Sequence, residues 1–565
     1  MYDNRYNLKI PVLFFCDSIN KWHSSQGGFE EMDSIFYNGT INTLDDSSTV
    51  CTAVGVINGN IAALGSEEDV GRLRGTNTEM IDLKDAVMFP GFMEAHNHLM
   101  IYGYLIDGID LSASRATKIA DILSLVKAES DKHPPGTWIK GSRYAEYFLA
   151  ENRHPTRTDL DQVSPQHPVI IYHTSFHACV LNSMALKLIG IDRSSEPDQG
   201  GIIEKDPTTG EPTGVLHDNP MTDVFNRLFF DDLTAMGRAQ RIAMCSRATE
   251  SFARMGFVFA ADAMVTPPTL EIYQDTRAAE RLAIRIYTMN HNIIADSLVK
   301  SRIKTGFGCP KLRIGPIKIF ADGGMSNRTA AVKKPYLTPP QDNGLKLYSH
   351  EDLIEKVREY DALGYQIAIH AQGDAGISDT LDAFEAVLGS QSDNPRRHRI
   401  EHGGCLYSDL LARAAAMNIP VAVQPVFLSE LGDGFAEAFG ADSAHQLYPF
   451  KSMLNAGMYI GGSSDCPVSN LDPRLGLRDA IIRQTPSGMK LGKQEALTAD
   501  EALRMYTRGS AYLSFDEDKN GTIELGKNAD FTVMAEDPRK VTPEEIPQIP
   551  FTMTVVGGKV VWSDE

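Results

Sequence analysis

Two imidazoles one residue apart, His96 and His98 in the stretch Glu94-Ala95-His96-Asn97-His98, carry the strongest local chemistry in this chain. They follow an apolar run, AVMFPGFMEA (86–95), that is turned by Pro90-Gly91. Residues i and i+2 of a strand point the same way, so the two rings project together from a strand end. Neutral imidazole is a favoured ligand of transition metals, and a pair makes half a site. Taken alone, the pair fits solvated or packed histidines better than a metal site. Three more residues change this. His370 closes YQIAIH, His402 closes RHRIEH, and Asp465 follows MYIGGSS. Lys318 is the sixth member, inside PIKIF (316–320). A free ammonium within a strand is costly to desolvate, and a neighbouring dication would repel it. Two readings of Lys318 stay open: a carbamate formed with CO2, which is anionic and can bridge two metals, or an ion pair with Asp322 or Glu94.

The elements that must position these residues are legible as eight short apolar runs, at 86–95, 256–263, 282–289, 316–320, 365–369, 397–401, 419–424 and 458–464. Helix-like stretches such as EDLIEKVREYDAL (351–363) lie between many of them. This alternation predicts an α/β fold with parallel strands closed into a (β/α)8 barrel of the TIM type. Active sites of such barrels form at the C-terminal ends of the strands, where the four histidines and Asp465 fall. Both chain ends read as β, with turn signals at Asn58-Gly59-Asn60 and Gly557-Gly558. The expected organisation is an N-terminal arm (1–31), a composite β-sandwich domain from 32–89 and 506–565, and a barrel over 90–505. A long insert follows the first barrel strand, about 104–235, with its own strand-like run PVIIYH and a Gly/Pro/Asp-rich stretch (196–214).

The chain has 565 residues with ordinary globular hydrophobicity and a formal net charge of −20. Such a surface repels phosphate, which argues against nucleic acid and anionic membrane as partners. No stretch reaches the roughly 18 apolar residues of a membrane helix. The early run LKIPVLFFC is short and holds Pro11, so it reads as an arm packing on the body. Seven scattered cysteines with no CxxC imply reduced thiols and a cytoplasmic compartment.

With these residues in view, the sequence resembles the amidohydrolase superfamily. FPGFMEAHNH, PIKIFADGGMSNRTAA, IAIHAQGDAGI, RIEHGG and GGSSDCPVS are similar to the amidohydrolase-3 group that includes N-substituted formamide deformylases, and GKNADFTVM matches the tail completing their composite β-sandwich. The resemblance implies that His96, His98 and Asp465 bind one divalent metal, most often zinc. It implies that a carboxylated Lys318 bridges to a second metal held by His370 and His402. Asp465 would also serve as general base and acid for an attacking hydroxide derived from metal-activated water. A histidine near the substrate in this group is matched by His177 in TSFHACVLNSMAL, a catalytic candidate that reads equally as a surface or core histidine of the insert. Asp322, Asn327 and Arg328 follow the Lys318 strand, where Gly323-Gly324 suggests a turn lining the pocket. Arg328 would hold a polar substrate group or pair with an acid. Tyr102, Tyr104, Tyr144 and Tyr147 would form an aromatic wall or ordinary insert core. A homodimer is carried over from similar enzymes.

The leading reading is hydrolysis of a non-peptide C–N bond in a small amide, such as an N-substituted formamide or N-acyl amine. One alternative is a mononuclear deaminase or cyclic-amide hydrolase, for which His398 and Glu401 supply an HxxE pattern. Another is a catalytically silent scaffold on the same fold; all six ligand positions are filled, which disfavours it. Three departures touch substrate shape or assembly: GSRYAEYFL in the insert, Asp218 where relatives usually carry Glu, and the N-terminal arm.

Overall fold

The computed structural model describes residues 31–564 apart from 175, 177, 198–200 and 391. The N-terminal arm, but for residue 31, therefore lies outside the described residues, as does His177. Eight parallel strands run in chain order around the centre: β1 (Phe92–Asn97), β2 (Phe257–Val265), β3 (Arg285–His291), β4 (Leu312–Phe320), β5 (Ile367–Ala371), β6 (Arg399–His402), β7 (Val421–Val423) and β8 (Ile460–Gly462). Each overlaps one of the apolar runs. Their side chains are buried on both faces, as expected of parallel strands covered by helices.

Between β8 and β1 the ladder is replaced by individual bonds. The Asp465 N–H donates to the His96 carbonyl (2.9 Å), and the His98 N–H donates to the Cys466 carbonyl (2.7 Å). The Glu94 carboxylate accepts the Ser464 N–H at 2.8 Å. Glycine makes the close approach feasible here. A Cβ on Gly461 would lie 3.0 Å from Ala95 Cβ, and one on Gly462 would lie 2.9 Å from the Tyr506 ring. This near-closed barrel sets strand ends carrying His98 and Asp465 side by side.

Helix α1 (Leu99–Leu105) directly follows His98, α2 (Asn219–Ala235) follows the insert sheet, α3 (His350–Ala362) precedes β5, and α4 (Phe427–Phe439) follows β7. The start of α3 is written in its sequence. The Ser349 hydroxyl accepts the Asp352 N–H at 3.1 Å, and Glu351 and Asp352 favour the positive end of the helix dipole.

The two chain ends meet in one sheet. The strand Val87–Pro90 pairs parallel with Thr40–Asn42 and antiparallel with Phe531–Met534. Phe36, Ile41, Val54, Met88, Phe531 and Val555 pack together between this six-stranded sheet and a four-stranded one holding Ser34–Tyr37. A bidentate pair, Arg285 with Asp530 at 2.6 and 2.9 Å, fastens the C-terminal segment to β3. The insert after α1 forms its own six-stranded sheet, from Ile109–Asp110 to Gly201–Lys205 at its edges. It leads into α2, whose Phe225 and Phe229 meet the edges of Tyr172 and Tyr104. Among the described residues no helix is long and apolar enough to cross a membrane.

Candidate metal centre

Strand geometry brings His96, His98 and Asp465 together. His96 Nε2 lies 3.3 Å and His98 Nε2 3.1 Å from the same oxygen, Asp465 Oδ1. One donor atom from each of the three fits within a sphere of metal-ligand size. His402 stands between the two halves of the site, with ring centroids 4.8 Å from His96 and 4.4 Å from His370. The backbone is strained where it aims two of these groups: His402 has φ +74° and Asp465 φ +61°. Non-glycine residues hold such angles only when the surroundings over-determine them, and they cluster at functional sites.

The protonation states suit cation binding. Burial raises the Asp465 carboxyl, but His96 and His98 outweigh it and hold the group well below the usual carboxylate range. Burial, followed by the Lys318 charge, pushes His370 down to about 3, and burial with its neighbours His370 and His96 pushes His402 well below 6.5. Neutral imidazole and ionised carboxylate are the ligating forms. Burial lowers Lys318 to about 8 against the pull of Glu401 and Asp465. Lys318 is fully buried, and its Nζ has no hydrogen-bond partner among the described residues. It pairs with neither Asp322 nor Glu94, so the ion-pair reading finds no support in the geometry. Its Nζ lies 4.7 Å from the centre of the Phe320 ring. A desolvated amine with no hydrogen-bond partner among the described residues, facing a histidine-carboxylate cluster, fits a cation-binding centre only if its charge is removed or reversed.

Neighbouring groups fix the candidate ligands in the way metal sites require. His96 Nδ1 bonds Glu401, and Arg399 Nε donates to the other Glu401 oxygen at 2.6 Å. Burial alone would raise Glu401, yet Arg399 and His96 hold it at about 2. Gln424 Oε1 lies 2.8 Å from His402 Nδ1, leaving its Nε2 for the site. Glu401, Arg399 and Gln424 were not singled out as supports by sequence reasoning. Their signal was strand alternation: 399 and 401 share one face of β6, the barrel interior. His398 instead bonds Asp361 at 3.0 Å and stacks on Phe384. The HxxE pattern thus does not form a proton-delivery pair here.

Over the ligands lies a cavity of about 50 Å³, lined by Gly324, Ser326, His370, Gln372 and Asp465, with Phe427, Leu431, Phe435 and Val468 opposite. The apolar wall comes chiefly from α4, where Phe427, Leu431 and Phe435 repeat every four residues on one face. The other sequence candidates are distributed around it. Asp322 is buried beneath the loop and accepts N–H bonds from Ala331, Gln372 and Gly373 at 2.8–3.0 Å; burial pushes it up to about 7. Asn327 donates to Asp218 of the insert. Arg328 Nε donates to Thr338 Oγ1 at 2.6 Å and is not among the lining residues. Tyr102 is half-buried on α1 and meets the edge of Phe252. Tyr144 is fully buried in the insert, its hydroxyl 3.0 Å from His154 Nδ1 and its ring against His173. The structure therefore brings Tyr144 to the insert core, not to the cavity. His177 lies outside the described residues.

Comparison with known proteins places these features. A model of the amidohydrolase family matches residues 79–562. The chain is 30% identical over 538 residues to the N-substituted formamide deformylase of Arthrobacter pascens, covering 93% of this chain and 97% of that one. It is 27% identical over 539 residues to the protein LONG AFTER FAR-RED 3 of Arabidopsis thaliana, covering 94% and 91%. The crystal structure of an uncharacterized metal-dependent hydrolase from Pyrococcus horikoshii matches with a TM-score of 0.74 at 26% identity, over 90% of this chain and 99% of that one.

Proposed function

The chain belongs to the amidohydrolase family, and on that premise we propose that it is a metal-dependent hydrolase of small, uncharged amides bearing an apolar substituent, N-substituted formamides and N-acyl amines foremost. The observation that carries the reading is the convergence of His96, His98 and Asp465 on one ligand sphere beside the buried Lys318, whose Nζ has no hydrogen-bond partner among the described residues. The cavity supports this class of substrate: among the described lining residues Asp465 is the one acidic group and none is a lysine or arginine, and one wall is aromatic and aliphatic.

His96, His98 and Asp465 would hold one divalent metal, zinc foremost. His370, His402 and a carboxylated Lys318 would hold a second. A bound metal of this kind lowers the pKa of a water toward neutrality and polarises a carbonyl. The chain's own residues do the rest. The Lys318 amine, when neutral, adds its lone pair to the carbon of CO2 and loses one proton, giving an anionic carbamate. Asp465 takes the proton of the attacking water and returns it to the departing nitrogen. The Arg399–Glu401–His96 chain keeps the His96 ring oriented and neutralises the charge behind it. Phe427, Leu431 and Phe435 exclude water and take up the apolar substituent.

The test is a panel assay on the zinc-loaded protein: N-benzylformamide, N-acetylbenzylamine, a charged N-formyl amino acid and a cyclic diamide, with amine and acid products quantified. Turnover of the neutral N-benzyl amides above the charged one supports the reading. Turnover confined to the cyclic diamide, with ring opening, would replace it.

A further inference from the structure

Gln372 stands two residues beyond His370, just past the end of β5, and lines the cavity over the candidate ligands. Three bonds tie it down. Its N–H donates to Asp322 Oδ1 at 3.0 Å, and its carbonyl accepts the Cys405 N–H at 2.8 Å. Its side-chain oxygen accepts the Met325 N–H of the loop after β4, at 3.2 Å. A backbone N–H can only donate, so this bond also fixes which end of the carboxamide is oxygen. The Nε2 end is left with two N–H donors and no hydrogen-bond partner among the described residues. The backbone behind it has no room to drift: a Cβ on Gly373 would lie 2.0 Å from the Ala331 carbonyl oxygen.

The other polar side chains of the cavity are differently disposed. Asp465 is an acceptor, and His370 Nε2 lies 3.1 Å from the Gly323 carbonyl oxygen. The Ser326 hydroxyl is a rotor that can donate or accept. Gln372 is thus the one lining side chain, among those described, whose donors are both oriented and unengaged. The cavity measures about 50 Å³; at the roughly 10–15 Å³ that a water-sized group needs, it admits about three to five such groups. That is the N–C=O unit of an amide and little besides. An acceptor placed there is the scissile carbonyl oxygen itself.

Resting on the functional reading above, we propose that Gln372 is the oxyanion donor of the reaction: its Nε2–H bonds the scissile carbonyl oxygen, and more strongly as charge develops there. As the water oxygen adds to the carbonyl carbon, its proton goes to Asp465 and the C=O π pair moves onto the carbonyl oxygen. Gln372 donates a hydrogen bond to that oxygen and keeps its own proton. The pair returns when the C–N bond breaks, and the nitrogen leaves with the proton from Asp465. A donor locked in place beforehand needs no reorganisation at the moment of reaction. Being uncharged, it also adds no cation beside a cation-binding centre.

The test is steady-state kinetics on the full-length, zinc-loaded protein with N-benzylformamide and its thiocarbonyl counterpart, N-benzylthioformamide. Gln372→Glu keeps an oxygen for the Met325 N–H and turns the donor end into an acceptor; Gln372→Met removes both. An interaction made mainly in the transition state shows in kcat. Both variants should lose about 100-fold or more in kcat on the oxygen substrate, the usual cost of one oxyanion donor, with zinc content unchanged. KM should move by less than about threefold. Sulfur accepts hydrogen bonds poorly, so on the thioamide parent and variants should differ by less than about tenfold. Should Gln372→Met fail to fold, Gln372→Glu decides alone. Were Gln372 only a tether for the loop, Gln372→Glu would match the parent chain and Gln372→Met would fall. Parental kcat in Gln372→Glu, a loss confined to KM, or an equal loss on both substrates would overturn the assignment. Absence of turnover in the parent chain with every amide of the panel would overturn the functional reading and this assignment with it.

Discussion

Replacing Glu401 by Gln asks how firmly the first metal ligand is held. Glu401 is fully buried between Arg399, 2.6 Å from one oxygen, and His96, which bonds the other. Burial alone would raise its pKa, but the two partners bring it to about 2, against an ordinary value of 4.5. At ~1.4 kcal/mol for each pH unit, the folded chain favours the ionised form by about 3 kcal/mol. Removing one member of a buried pair costs about 3–5 kcal/mol, a similar magnitude reached independently. The sign is fixed by linkage: a carboxyl depressed on folding stabilises the fold above its unfolded pKa and ceases to do so as pH falls toward its folded one. Urea unfolding of the metal-stripped chains, read as midpoints at a series of pH values, measures this. Glu401→Gln should be less stable by about 3 kcal/mol at pH 7, and the gap should narrow as pH drops below 4.5 toward 2. Zinc affinity of the variant should fall about 10–100-fold, the usual effect of losing a partner behind a ligating histidine. A gap that does not change with pH, or an unaltered zinc affinity, would refute the role assigned to the Arg399–Glu401–His96 chain.

Asp465→Asn retains a weak ligand oxygen but no base, so it should keep a substantial share of bound metal while activity falls at least ~100-fold. Lys318→Ala should lose metal and activity together, with partial rescue by a small carboxylic acid; metal analysis and rates on one preparation check both variants. Phe427→Ala should raise KM for N-benzylformamide more than for N-methylformamide, as seen in a paired kinetic comparison. Asp530→Ala strands Arg285 at the seam with the C-terminal segment and should cost about 3–5 kcal/mol without changing zinc content, as measured by denaturation and metal analysis.

The barrel and its six candidate ligands were legible because each ligand sits in or just after an apolar run of strand length. Their order along the chain set their order around the rim. The meeting of β8 with β1 was not legible, because it runs through the Glu94 side chain and two isolated backbone bonds, which leave no periodic pattern. Glu401 illustrates a second limit. Its sequence neighbours suggested an HxxE motif, but strand alternation turns it inward to Arg399 and His96, while His398 pairs with Asp361. Tyr144 shows a third. An aromatic residue in an insert can face a cavity or a core, and only the six-stranded insert sheet decides that it lies against His154 and His173. The α4 wall was hidden for the opposite reason: a Phe427–Leu431–Phe435 stripe looks like any helix face bound for a core.

The most direct test of the account is zinc content and N-benzylformamide turnover measured on the same preparation before chelation, after chelation and after zinc is restored with bicarbonate. The account predicts one to two zinc ions per chain, turnover lost on chelation, and both recovered together. Turnover that survives removal of the metal would contradict it.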